Sequence, residues 1–445
     1  MRYKILFPIF FWLVTHLYTG EEIRVELTTA CTLSPIYIGA LQATDTSFSP
    51  DYLQQLEAIL TYDFHYNGTT KVCPRTEEKD KLLTAKSIDL VTGKALGIPY
   101  VLSWHVTRDK LFVTVRDLVR ENARSFTDIT LSGDLKRDRR HIHKLADSIY
   151  QMLFHQEGIA HSRILFAYQP KVGTDKEWIS EIWECDWDGA NARQVTFEQS
   201  YALTPVLLPP SATYSNDHFL YVSYKTGIPK IFIGSLAEKT GKPLVSLRGH
   251  QLLPCISLKR DKIAFISDVS GRSDLFLQPL NPQTGETGKP VQLYAFPRST
   301  QSSPTFSPDG TKIVFASDKD GGVRLYLVPA TPSTKRPEAV LLTKRNRENI
   351  CPTWSPDGTK LAYSAKVNGV KQIWIYDFAK QEEIQLTAGL GNKENPAWAP
   401  NSKHIVFNST DDNSTDLYIV NLNQPEAVKI SRGAGRKHYP TWGNR

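Results

Sequence analysis

From about residue 160 to its C-terminus the chain is written in short runs of apolar, β-branched and aromatic residues separated by polar turns. Such runs fit buried or half-buried strands and lack the three-and-four spacing of amphipathic helices. The runs themselves recur. Pro304-Thr-Phe-Ser-Pro-Asp-Gly-Thr311 returns as Pro352-Thr-Trp-Ser-Pro-Asp-Gly-Thr359, in degraded form as Pro396-Ala-Trp-Ala-Pro-Asn-Ser402, and finally as Pro440-Thr-Trp442. Pro205 and Pro254 hold the same phase upstream, so six prolines stand 49, 50, 48, 44 and 44 residues apart. A separate set of aromatics, Trp183, Phe232, Phe276, Tyr326, Trp374 and Tyr418, keeps intervals of 49, 44, 50, 48 and 44.

Each period predicts four strands. In the copy that opens at Pro304, residues 304–307 form a short strand and Ser307-Pro-Asp-Gly310 a type I turn. Pro308 presets φ, Asp309 favours the turn and Gly310 takes its exit. Residues 312–317, 323–328 and 339–343 supply the other strands. Four strands per 40–50 residues is the signature of a β-propeller blade. The first repeat has only three strands, at 163–168, 181–187 and 192–196, and the C-terminus carries a spare one at 439–442. The last strand is therefore expected to complete the first blade, which removes two open edges. The expected fold is mainly β: a six-bladed β-propeller over residues 159–445, preceded by a small α+β domain over residues 21–158.

That α+β domain lacks the period. Residues 22–27 alternate as a strand. Ser49 and Pro50 open a helix with Leu53, Leu56 and Leu60 on one face. A second helix ends at Gly97, residues 99–106 and 111–119 form a hairpin about Arg108-Asp109, and residues 137–154 form a final amphipathic helix. Residues 1–20 fall outside the fold. Arg2 and Lys4 precede an apolar stretch over residues 5–14, and Gly20 precedes Glu21. This is the layout of a cleaved secretory signal peptide, too short to span a membrane.

With 445 residues, 40% hydrophobic and 22% charged, the chain can bury a large core and is not disordered. The formal charge of +7 falls by two, to about +5, once Arg2 and Lys4 are removed. The excess forms no basic run, which argues against nucleic-acid binding. Five cysteines leave at least one thiol unpaired. Cys31 and Cys73 are the only candidates for a disulfide, with the expectation leaning against it, and Cys185, Cys255 and Cys351 read as small buried thiols.

Arg139-Arg-His-Ile-His-Lys-Leu-Ala-Asp-Ser-Ile-Tyr150, followed by Gly158-Ile-Ala-His-Ser-Arg-Ile-Leu-Phe166, resembles the segment joining the two domains of the TolB family, the periplasmic propellers of the Tol–Pal envelope system. The mature start, Glu22-Ile-Arg-Val-Glu-Leu27, is similar to that family's N-terminal strand, and the order of elements matches across essentially the whole mature chain. The chain departs from the pattern at His155, where the family usually has Gly, in the middle of the N-terminal domain, and in the second and third blades, which have lost Ser-Pro-Asp-Gly.

No Gly-x-Ser-x-Gly, His-Glu-x-x-His, P-loop or Gly-x-Gly-x-x-Gly occurs. His141 and His143, two apart on a helix, point to different faces and make poor joint metal ligands, and Asp309 and Asp357 are accounted for by turn geometry. Asn67, Asn408 and Asn413 open glycosylation sequons. No catalytic, metal or cofactor site is expected. What remains is a surface. The connection before each repeating proline must cross one face of the propeller and arrive at its channel, so Thr204, His250, Ser302, Asn349, Asn395 and His438 are expected to ring one mouth as a polar dock.

The resemblance implies that this mouth binds Pal, the peptidoglycan-associated lipoprotein, with His250 and Ser302 at matching contact positions, and that the N-terminal strand Glu22, Ile23, Arg24, Val25 engages the TolA-like inner-membrane protein. It implies a non-enzymatic periplasmic adaptor for envelope integrity and constriction at cell division, a monomer held near the outer membrane through partners. The alternative is a secreted propeller enzyme, a lactonase-like metal hydrolase, for which Glu394 and Asn395 supply only a fragment of a ligand set.

Overall fold

The computed structural model describes residues 24–25, 32–83, 93, 95–170, 179–209, 217–281, 285, 287–411, 414–424 and 426–445. Residues 1–20, expected to be a signal peptide, and Glu22, Ile23, Cys31 and Asn413 lie outside them, so the Cys31–Cys73 question falls outside the described residues.

The N-terminal region is a six-stranded sheet. Strands β2 (Ser34–Ile38), β4 (Thr70–Val72) and β5 (Tyr100–Thr107) run parallel, and β3 (Gln42–Thr44) adds to β5. Antiparallel β6 (Lys110–Asp117) and β7 (Asn122–Thr130) complete the order β4-β2-β5-β6-β7. The expected hairpin is β5–β6, whereas β2, β3, β4 and β7 carried no clear periodic signal. Helices α1 (Pro50–Tyr66) and α3 (Leu135–Phe154) pack on one face, and a short α2 spans Glu77–Leu83. Ser49 Oγ accepts the N–H of Tyr52 at 3.3 Å and Pro50 stands in the first turn, as the cap signal predicts. Helix α3 ends where His155 turns left-handed at φ 55°, its N–H bonded to Gln151 O. That is a conformation glycine adopts freely, the physical reason a glycine suits this position.

The C-terminal region forms six four-stranded blades. Their inner strands are Arg436–Asn444 (blade 1), Ala202–Leu207 (blade 2), Gln251–Ile256 (blade 3), Gln301–Phe306 (blade 4), Asn349–Trp354 (blade 5) and Asn392–Trp398 (blade 6). The C-terminal strand pairs antiparallel with Ser162–Gln169, so the chain's last strand and the propeller's first share one blade.

All six inner strands carry the same bulge. The ladder shifts so that two residues face one across it, and the two are always the repeating proline and the residue before it. Proline lacks an N–H and fits where the ladder is already interrupted. The preceding residue is left-handed each time: Thr204, Leu253, Ser303, Cys351, Asn395 and Tyr439 have φ between 47° and 53°. Opposite each bulge stands a buried aromatic: Phe166 in blade 1, then Tyr221, Phe265, Phe315, Tyr363 and Phe407. Each pairs across the next strand with one of the six spaced aromatics, Trp183, Phe232, Phe276, Tyr326, Trp374 and Tyr418. The periodic prolines and aromatics are thus two ends of one packing unit.

One apolar core runs through both regions, joining Leu56, Leu60 and Ile149 to Ile164, Trp187, Val406 and Trp442. Polar bonds between the regions are specific. Trp187 Nε1 donates to Asp63 at 2.9 Å, His404 Nε2 to Tyr66 O at 2.7 Å, and Gln424 Nε2 to His65 O at 2.9 Å. Gly68, at φ 76°, comes so close to His404 and Asn421 that a Cβ there would sit 3.2–3.3 Å from them.

Candidate functional site

The six expected dock residues do not form one level ring. Counted back from its proline, each blade offers four tiers. The residue directly before the proline lines the neck, where the bulge aims consecutive blades at one another. Ser303 Oγ meets Cys351 Sγ at 3.9 Å, Cys351 Sγ meets Asn395 Oδ1 at 3.1 Å, and Asn395 Nδ2 donates to Asn408 Oδ1 at 2.8 Å. Thr204 and Asn395 belong to this tier, and the Thr204 hydroxyl is buried without a hydrogen-bond partner among the described residues. Burial raises the Cys351 thiol to about 11, so it stays protonated and donates.

Ser302 and His438 stand one residue further out and are half-buried. Burial holds the His438 imidazole below its ordinary value, so it is neutral at pH 7. The third tier is buried: Ala202, Gln251, Gln301, Asn349, Lys393 and Lys437. Asn349 therefore does not face a partner, which corrects its expected role. Its Nδ2 donates to Asn346 O at 2.8 Å and Val323 O at 3.3 Å. Gln251 Nε2 holds Val245 O and Leu247 O, and Lys393 Nζ holds Gly389 O and Gly391 O, in the same way. These side chains fasten the incoming loops, a device the sequence reading missed because Gln, Asn and Lys share no single letter to align.

His250 sits on the rim and is exposed, with 47% of its side chain open to solvent. Pro254, four residues on, does not set its direction. Asp268 does: the carboxylate accepts the His250 N–H at 2.7 Å and lies 2.9 Å from Nδ1. Asp318 accepts the Thr300 N–H at 2.7 Å in the next blade, a second copy of the clamp. Of the carboxylates a metal-dependent hydrolase would draw on at the neck, Glu394 is engaged by Lys371 Nζ at 2.6 Å. Among the described residues the one group with metal-ligand spacing, His143, Asp186 and Asp188, lies at the domain junction instead, where Arg139 and Arg445 pair with its carboxylates.

The opposite face carries the Ser-Pro-Asp-Gly turns. Asp309 accepts from Ser307 Oγ, Thr311 N and Thr311 Oγ1, bonds that hold its carboxyl down at about 2. Asn408 is fully buried against Asn395 and Asn67 is buried beside Thr70, so neither sequon is open to modification in the folded chain. Arg24 and Val25, the described part of the expected partner strand, form β1 and pair antiparallel with Ala388 and Thr387 beside blade 5.

A six-bladed propeller with a braced polar mouth, fused to an α+β domain, defines the class of protein. Residues 150–445 match the family model described as the TolB beta propeller domain. The chain is 46% identical over 388 residues to a Protein TolB homolog of Protochlamydia amoebophila, covering 85% of this chain and 83% of the relative. It is 41% identical over 379 residues to the Chlamydia felis homolog, covering 84% and 83%. The crystal structure of TolB from Acinetobacter baumannii superposes with a TM-score of 0.73 at 20% identity, covering 95% of this chain and all of that one. The chain belongs to the TolB family.

Proposed function

We propose that this chain is a non-enzymatic periplasmic adaptor whose propeller mouth binds a Pal-like peptidoglycan-associated lipoprotein and whose N-terminal strand engages a TolA-like inner-membrane protein. The joint action would support envelope integrity and outer-membrane constriction at division. The observation that carries the reading is the braced mouth. Its loops are fixed by buried side chains and its exposed His250 is clamped by Asp268, so a partner meets a preorganised polar surface and little ordering entropy is lost on binding. In this reading the dock comprises His250, Ser302 and His438, with Thr204 and Asn395 deeper in the neck. In this reading a partner strand takes the place of β1, which among the described residues pairs with Ala388 and Thr387.

Titration of purified variants against the folded domain of the cell's Pal-like lipoprotein tests this. His250→Glu sets a second carboxylate beside Asp268, and Ser302→Glu forces a charge into a half-buried site. Each is expected to weaken binding by at least about 2 kcal/mol with the fold intact. Asp309→Ala and Asp357→Ala, on the opposite face, are the controls. Wild-type affinity in both mouth variants would overturn the assignment.

A further inference from the structure

The N-terminal sheet ends at β7, a nine-residue strand whose outer edge carries no partner strand among the described residues. Open edges of this length are ordinarily covered or blunted. Here the edge borders a cleft of about 460 Å³ between β7 and helix α3. Phe126, Ile129 and Leu145 line it, and Arg124 and Lys144 rim it. Phe126 and Arg124 stand across from Val113 and Val115, whose side chains pack into the core beneath α3, so both project to the helix side of the sheet. Arg124 lies 5.6 Å from the Phe126 ring centre. Among the described residues neither Arg124 nor Lys144 has a carboxylate partner, and the described lining contains no acid. Asp128 is the one acid within the strand.

We propose that this cleft takes an extended acidic peptide segment of a partner protein, added as a further strand on β7. A strand laid beside β7 would pair with its free backbone row and turn alternate side chains into the cleft. Apolar ones would cover Phe126, Ile129 and Leu145, and carboxylates would meet Arg124 and Lys144. Charge also decides between occupants. A second copy pairing through its own β7 would bring two sets of Arg124 and Lys144 together, whereas an acidic strand neutralises one. A bulge between Leu111 and Val113 leaves Asn122–Phe126 as the regular stretch of the edge. This surface is separate from the propeller mouth, and the proposal stands independently of what the mouth binds.

The probe is a fluorescein-labelled peptide of about ten residues alternating glutamate and valine, titrated into the full chain by fluorescence polarisation, with a lysine–valine peptide as comparison. Hydrogen exchange with and without peptide locates it. The proposal expects binding of the acidic peptide, new protection within residues 122–130, and an affinity at least about tenfold lower in Arg124→Glu and in Lys144→Glu, two exposed positions whose variants are checked for wild-type melting. His250→Glu is expected to bind the probe as wild type does. No binding, equal binding of the lysine peptide, protection confined to the propeller, or undiminished affinity in both charge variants would overturn it. So would dimerisation through β7 with no peptide binding, which would make a second copy the occupant.

Discussion

In the propeller each blade is packed on both sides by a neighbour, and the first and last strands of the ring share a blade. The N-terminal domain has helices on one face of its sheet, meets the propeller through one shared apolar core pinned by a handful of individual polar bonds, and ends at a strand with no further partner strand among the described residues. The difference lies in how structure is secured. In the ring a small unit of proline bulge and facing aromatics is built six times, so one worn copy can be carried by its neighbours. In the N-terminal domain and its junction each contact exists once. Asp63 alone accepts both His143 Nδ1, at 2.8 Å, and Trp187 Nε1, at 2.9 Å, joining α1, α3 and blade 1. Redundancy protects the first region, and single polar contacts make the second vulnerable.

The largest test removes the ring's closure. Deleting residues 436–445 takes the inner strand from blade 1 and leaves Ser162–Gln169 with an open edge. Cooperative melting is expected to be lost or the chain to aggregate, and a wild-type transition by calorimetry would show that closure is dispensable. Next comes the junction. Asp63→Ala strands a buried imidazole and a buried indole N–H and should cost about 3–5 kcal/mol in denaturant unfolding. A loss under about 1 kcal/mol would mean the junction is not held by single contacts.

Acid should loosen that junction. Burial pulls the His404 imidazole down to about 4, so the folded chain keeps it neutral while the unfolded chain protonates near the ordinary value of about 6.5. Its contribution is present above about 6.5 and is lost as pH falls toward 4, up to about 3 kcal/mol. His161, also held near 4 by burial, acts in the same direction. Burial instead raises the Asp147 carboxyl to about 6, which offsets part of the loss below that pH. His404→Gln, which can still donate to Tyr66 O, is expected to flatten the pH profile of melting between 6.5 and 4. An unchanged profile would assign the acid sensitivity elsewhere. The smallest effect belongs to the repeat: Asp309→Ala loses an exposed turn carboxylate, and the melting temperature should fall by no more than a few degrees, with mouth binding unaltered.

How much was legible follows the same division. The prolines at 205, 254, 304, 352, 396 and 440 and the six spaced aromatics announced the blades, because a repeated packing problem leaves a repeated residue. A second set, Phe166, Tyr221, Phe265, Phe315, Tyr363 and Phe407, was equally periodic from blade 2 onward and would have shown that the prolines mark bulges. The proposed dock was legible only as a set of positions. Thr204, Asn395, Ser302, His438 and His250 do lie on the approach to the neck or its rim, but Asn349 is buried, since a one-residue step along a bulged strand exchanges a lining side chain for a brace.

By itself the sequence determined the mainly β class, the six repeats, the spare C-terminal strand and the family, because strand period, turn chemistry and repeat spacing are local properties of the chain. Only the tertiary structure decided which polar side chains face outward, that Asp268 and not Pro254 orients His250, that Asp63 joins two domains, and that β7 has no outer partner strand among the described residues. Each of these depends on residues far apart in sequence meeting once, and a contact made once leaves no period to read.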